Sequence, residues 1–494
     1  MLSLYALGPI LFLITLLTGL KKPAYIVAPL TLLITALLAY FVWEQNINLI
    51  ALSVLEGVIY GLWPIGIIIL GSITLSNLMV ASGSVKKIQS LIGTISNDSR
   101  ITVVLIAWGL ESFLESIAGF GSGLALPISI LIVMGVSPLK SGVVALLANS
   151  VPTAYGGVGI GIVALANSSG VPLDEIMRFL SWQLLLLSLI VPFVITWVVA
   201  GSWQKVREVF WVPLFAGLGQ GVGMMLPLDP SLVAIISGTL NISGGILATN
   251  IFYPHLRTKN KIDIKEAIIT LIPFLIAIFL ILITSPLFPV INQWISIFKT
   301  EFVIYPGSKH LIIRWVADAG VLLLISGIIG TLIQGLSFHQ IGKTFIKTLG
   351  QLQKTIIVLV SILAMSKIMT YSGMIDSLSL GFSQYLGSLY PLFAPLLGTI
   401  GVLVTGSVAS SGILMGSLQA EMGRALDISP AWLVAMNASG STAGKMLAPH
   451  SVAIVMAALG SSDEESNITG IIFKFLLGYV GILMVISLLG YLII

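Results

Sequence analysis

The 494-residue chain is 57% hydrophobic and only 9% charged, with a mean hydropathy of +1.09, whereas ordinary soluble domains carry roughly 25% charged residues. Cysteine is absent, which excludes disulfides and thiolate metal sites, and the four histidines (His255, His310, His339 and His450) are scattered rather than set at ligand spacing. The formal net charge of +4 reads as loop orientation in a bilayer rather than nucleic-acid affinity, so the chain is expected to be an all-α polytopic membrane protein with no metal and no nucleic-acid partner.

Apolar runs long enough to cross a hydrocarbon core of about 30 Å recur along the whole length. Residues 1–20 have no basic leading region and no small-residue cleavage site, so they read as a first span and not as a removed signal. Spans at 23–43 and 50–80 precede a glycine-rich block at 101–136 that is broken in its middle and reads as a re-entrant hairpin. Next come spans at 141–167, 178–200, 208–226, 230–250, 266–288, 311–335 and 355–372. A second broken block at 391–428 reads as another hairpin, and spans at 430–459 and 468–493 complete the chain. The prediction is a single multispanning domain of about 12 transmembrane helices and two re-entrant hairpins.

Loop charge orients this drawing. With the N-terminus outside, the inner loops hold 15 of the 23 Lys and Arg residues, among them Lys86, Lys87, Arg100, Lys140, Lys205 and Arg207. That excess follows the positive-inside rule.

The chain also resembles itself. LSNLMVASGSVKKI (75–88) matches MSKIMTYSGMIDSL (365–378), and GVSP (135–138) matches DISP (427–430). Between these marks lie AGFGSG (118–123) and ASSG (409–412), and each Ser-Pro leads into a small-residue segment containing Asn149 or Asn437. In the predicted topology the copies, 50–170 and 340–460, run in opposite directions. Inverted repeats with broken helices at mid-membrane characterise secondary transporters.

Non-helical backbone survives at membrane depth only when buried in protein or lining a watery cavity. GFGSG needs such a setting: its glycines permit a sharp turn and a close approach of ligand to backbone, and helix N-termini at the break suit an anion. Gly119, Gly121 and Ser122 in the first hairpin are therefore substrate-binding candidates. Ser407, Ser410 and Ser411 in the second join them, with the hydroxyl of Thr405 and the amide of Asn149. GFGSG is neither G-x-S-x-G nor a phosphate loop, and an intramembrane hydrolase finds no nucleophile motif.

Ionisable groups within spans are functional candidates. Glu111 and Glu115 stand four apart on one helix face, and two close carboxylates in a low dielectric are not both readily ionised, which suits a proton carrier. Glu115, nearer the glycine tip, is the expected carrier, with Glu111 and His450 next in line. Lys445 could attract a substrate carboxylate or pair with a glutamate, and a hydrated His450 would titrate near neutral pH. Arg314 and Asp318 look like an ion pair within one helix. Lys367 has no clear partner, and Glu56 sits at a span entrance where it needs no special role.

FLESIAGFGSG (113–123) with GVSPLKSGVVALLANSVPTAYGGVGI (135–160) resembles the first signature region of the L-lactate permease family. GTIGVLVTGSVASSGILMGSLQAEMG (398–423) with NASGSTAGKMLAPHSVAIVMAALG (437–460) resembles the second. The likeness runs over most of the chain. It implies uptake of L-lactate, glycolate or a related 2-hydroxymonocarboxylate with protons across the plasma membrane, no cofactor, and a homodimeric elevator built of inverted repeats. By the same resemblance Glu115 is the glutamate of the first motif and Lys445 the lysine of Gly-Lys-Met, while Thr405, Gly406, Ser407, Ser410 and Ser411 belong to the second hairpin. Ser116 and Ile117 replace the family's Gly-Ala, Val408 and Ala409 stand where relatives have Asp-Thr, Gly412 replaces an asparagine, and His450 a glutamine. These departures bear on substrate and coupling ion, and the alternative is a sodium-coupled carrier for another small organic anion.

Overall fold

A bilayer offers no water to backbone N–H and C=O groups, so an apolar chain closes its hydrogen bonds locally, as helix. The computed structural model describes residues 2–16, 22–93, 95–96, 98–119, 124–256, 264–284, 288–308, 310–459 and 464–493. Among them, eight helices are long and apolar enough to span: Ala24–Phe41, Ile47–Ala81, Leu173–Ala200, Pro230–Phe252, Lys265–Thr284, Phe338–Tyr371, Met374–Leu403 and Glu465–Ile493. A further candidate is the pair Pro138–Ala148 and Val151–Ser169, bent by 41° at its break. Shorter apolar helices include Leu2–Leu13 and Ala319–Ile333. The chain is an all-α multi-pass membrane protein.

Local signals set the helix starts. Both Ser-Pro marks open helices: Ser137 and Ser429 cap Pro138–Ala148 and Pro430–Lys445, with proline in the first turn, where no backbone donor is needed. Ser337 and Gln340 form a reciprocal capping box on Phe338–Tyr371. Small residues let helices touch through their backbones. Gly57 meets the backbone of Ala364, Gly71 that of Gly320, and Gly440 that of Pro395.

The predicted span 311–335 is corrected. Within 311–335, Leu311–Arg314 is a strand paired antiparallel with Lys299–Phe302, and the helix begins only at Ala319. The alternating burial of Leu311 to Arg314 suits a strand, and Trp315 packs on Trp63 with ring centroids 5.1 Å apart. Arg314 and Asp318 consequently share no helix: Asp318 caps Ala319–Ile333, accepting from the Gly320 N–H at 2.9 Å.

The expectations for Glu56 and Lys367 also change. Glu56 is buried and its carboxylate takes the Lys367 ammonium at 2.7 Å, the Tyr371 hydroxyl at 2.6 Å and the Tyr305 N–H at 3.3 Å. Tyr305 belongs to the hairpin between the two strands and stacks on Tyr371 at 3.9 Å. Glu56 and Lys367 are far apart in sequence, so only the packing of Ile47–Tyr60 on Phe338–Tyr371 reveals the pair.

Candidate functional site

The carboxylate helix Glu111–Ala118 continues a π-helical segment, Val104–Leu110, whose residues are all buried. Glu111 and Glu115 are 0% and 1% exposed. The next segment answers them at the same spacing of four. Asn149 Nδ2 donates to Glu111 Oε1, and Thr153 Oγ1 donates to Glu115 Oε1 at 3.2 Å. The helix ends at Gly119, whose φ of 63° and ψ of −164° fall in a region essentially restricted to glycine. A Cβ there would lie 2.8 Å from Gly157 N and 2.9 Å from Gly157 Cα.

That neighbouring segment is itself broken. Pro138–Ala148 gives way to a 3-10 turn at Val151–Tyr155, and then Gly157, Val158 and Gly159 are all left-handed, with φ of 56°, 52° and 77°. A β-branched residue at positive φ is an outlier, and such strain, of order 1–3 kcal/mol, collects at functional sites. The turn brings Gly156 against Glu115 Oε1, where a Cβ would sit at 3.0 Å.

Against the segment Gly156–Ser169 packs a helical hairpin. Tyr390–Thr405 ends at left-handed Gly406, and extended Ser407 caps Val408–Ala425. The two helices fold back on each other: Ser411 Oγ donates to Gly398 O at 3.1 Å, and Gln419 Nε2 to Ala394 O at 2.9 Å. Lys445, 3% exposed at the end of Pro430–Lys445, donates to Gly406 O at 3.5 Å. The carboxylates of Glu115 and Glu111 both lie within electrostatic reach of its ammonium.

Glu115, Gly119, Thr153, Gly156, Ser407 and Lys445, with Ile160, Gly161, Val408 and Ala409, line one cavity of about 30 Å³. This is room for one or two waters.

Of the sequence candidates, Glu115, Gly119, Ser407 and Lys445 therefore come together. Asn149 serves Glu111 instead. Thr405 Oγ1 donates within its own hairpin, to Gly401 O at 2.7 Å, and Ser411 also accepts the Ser441 hydroxyl at 3.1 Å. The Ser410 N–H is held by Ser407 Oγ at 3.4 Å. Gly121 and Ser122 lie outside the described residues, as does the His450 side chain, whose backbone is in Pro449–Leu459. Thr153 and Gly156 were missed. Their signal is SVPTAYGGVGIG (150–161), where a proline and four glycines interrupt an apolar run. Among the described residues no cluster of His, Asp and Glu could hold a metal.

The sequence profile of the family described as L-lactate permease matches residues 3–494. The chain is 35% identical over 450 residues to an L-lactate permease of Streptococcus iniae, covering 89% of this chain and 94% of that one. It is 29% identical to the glycolate permease GlcA of Escherichia coli K12, covering 99% and 95% of the two chains. An L-lactate permease of Bacillus subtilis 168 is 28% identical, with 94% and 92% covered. Among solved structures, the YdaH transporter of Alcanivorax borkumensis matches at 14% identity and a TM-score of 0.46, over 87% and 86% of the chains.

Proposed function

Because the chain belongs to the L-lactate permease family, we propose that it takes up L-lactate or a related 2-hydroxymonocarboxylate such as glycolate, by proton symport across the plasma membrane. The observation that carries this reading is the convergence of Glu115, Lys445 and the start of Val408–Ala425 on one cavity. An anion leaving water needs compensating partners. Lys445 supplies a full charge. The first amides of Val408–Ala425 supply the partial positive charge of a helix N-terminus, and the hydroxyls of Ser407 and Thr153 suit the substrate's own hydroxyl.

The charge balance gives the coupling. Empty, the site sets two carboxylates against one ammonium, so a further anion is repelled. A proton on either carboxylate removes that repulsion, and proton and substrate then favour each other's binding, which is the linkage a symporter needs. Movement of the two inverted repeats, with their paired broken elements, would expose the cavity to each side in turn.

The test is uptake of labelled L-lactate into proteoliposomes under an imposed gradient. An inward proton gradient should drive accumulation. Accumulation that followed sodium and ignored pH would replace the coupling ion. If lactate neither entered nor competed with the transported anion, the substrate assignment would fail.

A further inference from the structure

We infer that Glu111 and Asn149 together form the seat of the coupling proton, while Glu115 serves as the counter-ion of Lys445 in the substrate cavity. The inference rests on the symport reading above and assigns the proton to Glu111, where the sequence favoured Glu115. They differ first in position. Glu115 lines the cavity and Glu111 does not, although both are buried.

They differ also in what their oxygens touch. Asn149 Nδ2 donates to Glu111 Oε1. The other two polar atoms of the same pair, Glu111 Oε2 and Asn149 Oδ1, are buried acceptors with no hydrogen-bond partner. A buried acceptor without a donor costs free energy, more so when it is charged. Two such atoms on one bonded pair have a common remedy. A single proton on Glu111 Oε2, donated to Asn149 Oδ1, closes an acid–amide ring with two hydrogen bonds and satisfies both acceptors. The pair is complete only with the proton present.

Little other charge surrounds Glu111. The charged groups acting on Glu111 are Glu115 on its own helix and Lys445 on Pro430–Lys445. Helices Ile67–Ala81, Gly156–Ser169 and Pro230–Phe252 and the segments Val104–Leu110 and Val151–Tyr155 pack against Glu111–Ala118. None carries an Asp, Glu, Lys, Arg or His; Tyr155, fully buried, is their one titratable side chain. Ser112 Oγ donates to Gln220 Oε1 at 2.8 Å, and Asn241 Nδ2 reaches both Gln220 Oε1 and Trp108 O at 3.1 Å. This network fixes the carboxylate helix. Asn149, by contrast, stands at the start of the broken segment that ends in the left-handed turn at Gly157 to Gly159. Movement of that segment withdraws the amide, leaves the acid without its acceptor, and releases the proton to the water that then enters.

The substitution Glu111→Gln tests this directly. Its side chain can make both bonds to Asn149 with no titratable proton, so the variant should fold, bind lactate and exchange it across the membrane. In the parent, each pH unit, worth about 1.4 kcal/mol, should drive roughly tenfold accumulation at one proton per lactate; in Glu111→Gln it should drive none. Glu115→Gln should keep the pH drive and change lactate affinity. Difference infrared spectra on acidification should show a protonated carboxyl band that Glu111→Gln removes. Asn149→Leu should move that band to higher wavenumber, because the acid carbonyl loses its donor. If Glu111→Gln accumulates lactate like the parent, or if Glu115→Gln alone removes the band and the pH drive, the assignment is overturned. A parent protein that exchanges lactate but ignores pH would overturn the symport reading itself.

Discussion

Replacing Gly119 by alanine probes the closest backbone contact of the site. At φ 63° and ψ −164° the alanine is held in a region that costs of order 1–3 kcal/mol for a residue with a side chain. Its Cβ would stand 2.8 and 2.9 Å from the N and Cα of Gly157, which are backbone atoms and cannot rotate away. Gly157 opens the left-handed turn, so displacing it disturbs Val158 and Gly159 as well. Overpacking of this kind costs about 1–3 kcal/mol. Together the two effects come to roughly 2–6 kcal/mol, a large part of the 5–15 kcal/mol that holds a typical domain. The control is Gly478→Ala, in the interior of Glu465–Ile493, where a Cβ meets nothing within 4 Å. It should be neutral or gain up to about 1 kcal/mol from helix propensity. Thermal unfolding followed by tryptophan fluorescence, with lactate uptake measured on the same preparations, should show Gly119→Ala destabilised and inactive and Gly478→Ala unchanged. Equal melting and equal uptake for the two variants would mean that the contact of Gly119 with Gly157 is not part of the site.

Lys445→Ala should weaken lactate binding by roughly ten- to hundredfold, the loss of one charge-assisted hydrogen bond of about 1.5–3 kcal/mol, as read by equilibrium binding to detergent-solubilised protein. Glu56→Gln strands the Lys367 ammonium and should cost about 3–5 kcal/mol, whereas Glu56→Gln with Lys367→Met should recover most of it; equal melting temperatures for single and double variants would refute the pair. Burial alone would push the Asp98 carboxyl up, but its hydrogen bonds with Arg100 and that residue's charge hold it below the ordinary range. A lowered folded-state value adds stability above the unfolded pKa of about 3.9 and loses it as pH falls from there through the folded value. Melting temperature should therefore drop over that acid window in the parent and drop less in Asp98→Asn.

Much of this was legible in the sequence because a bilayer tolerates few exceptions. Scarce charge and repeated apolar runs declare a polytopic helical protein, and Glu115 and Lys445 stand out because so few charges interrupt those runs. What could not be read was partnership. Glu56 and Lys367 are separated by most of the chain, and nothing local distinguishes a buried ion pair from two charges near interfaces. The break at Val151–Gly159 was also hidden, because composition scores 141–167 as one apolar run while its glycines permit a turn that only packing against Gly119 selects. The strand Leu311–Arg314 was mistaken for helix on the same ground: Leu311, Ile312 and Ile313 are apolar enough to be counted with the span that follows. Glu111 and Glu115 share a helix face, and nearness to the glycine tip favoured Glu115; the neighbouring segment gives Asn149 to Glu111 and Thr153 to Glu115.

Proton and lactate should cross together, and the most direct measurement of this needs no imposed pH gradient. Proteoliposomes containing a trapped pH-sensitive dye, in weak buffer at equal pH on both sides, are given external L-lactate. The interior should acidify at a rate that saturates with lactate, well above that of protein-free liposomes, and Lys445→Ala should sharply reduce that rate at limiting lactate. Lactate that enters through the protein, by radiolabel, while the interior stays at its starting pH would contradict proton symport.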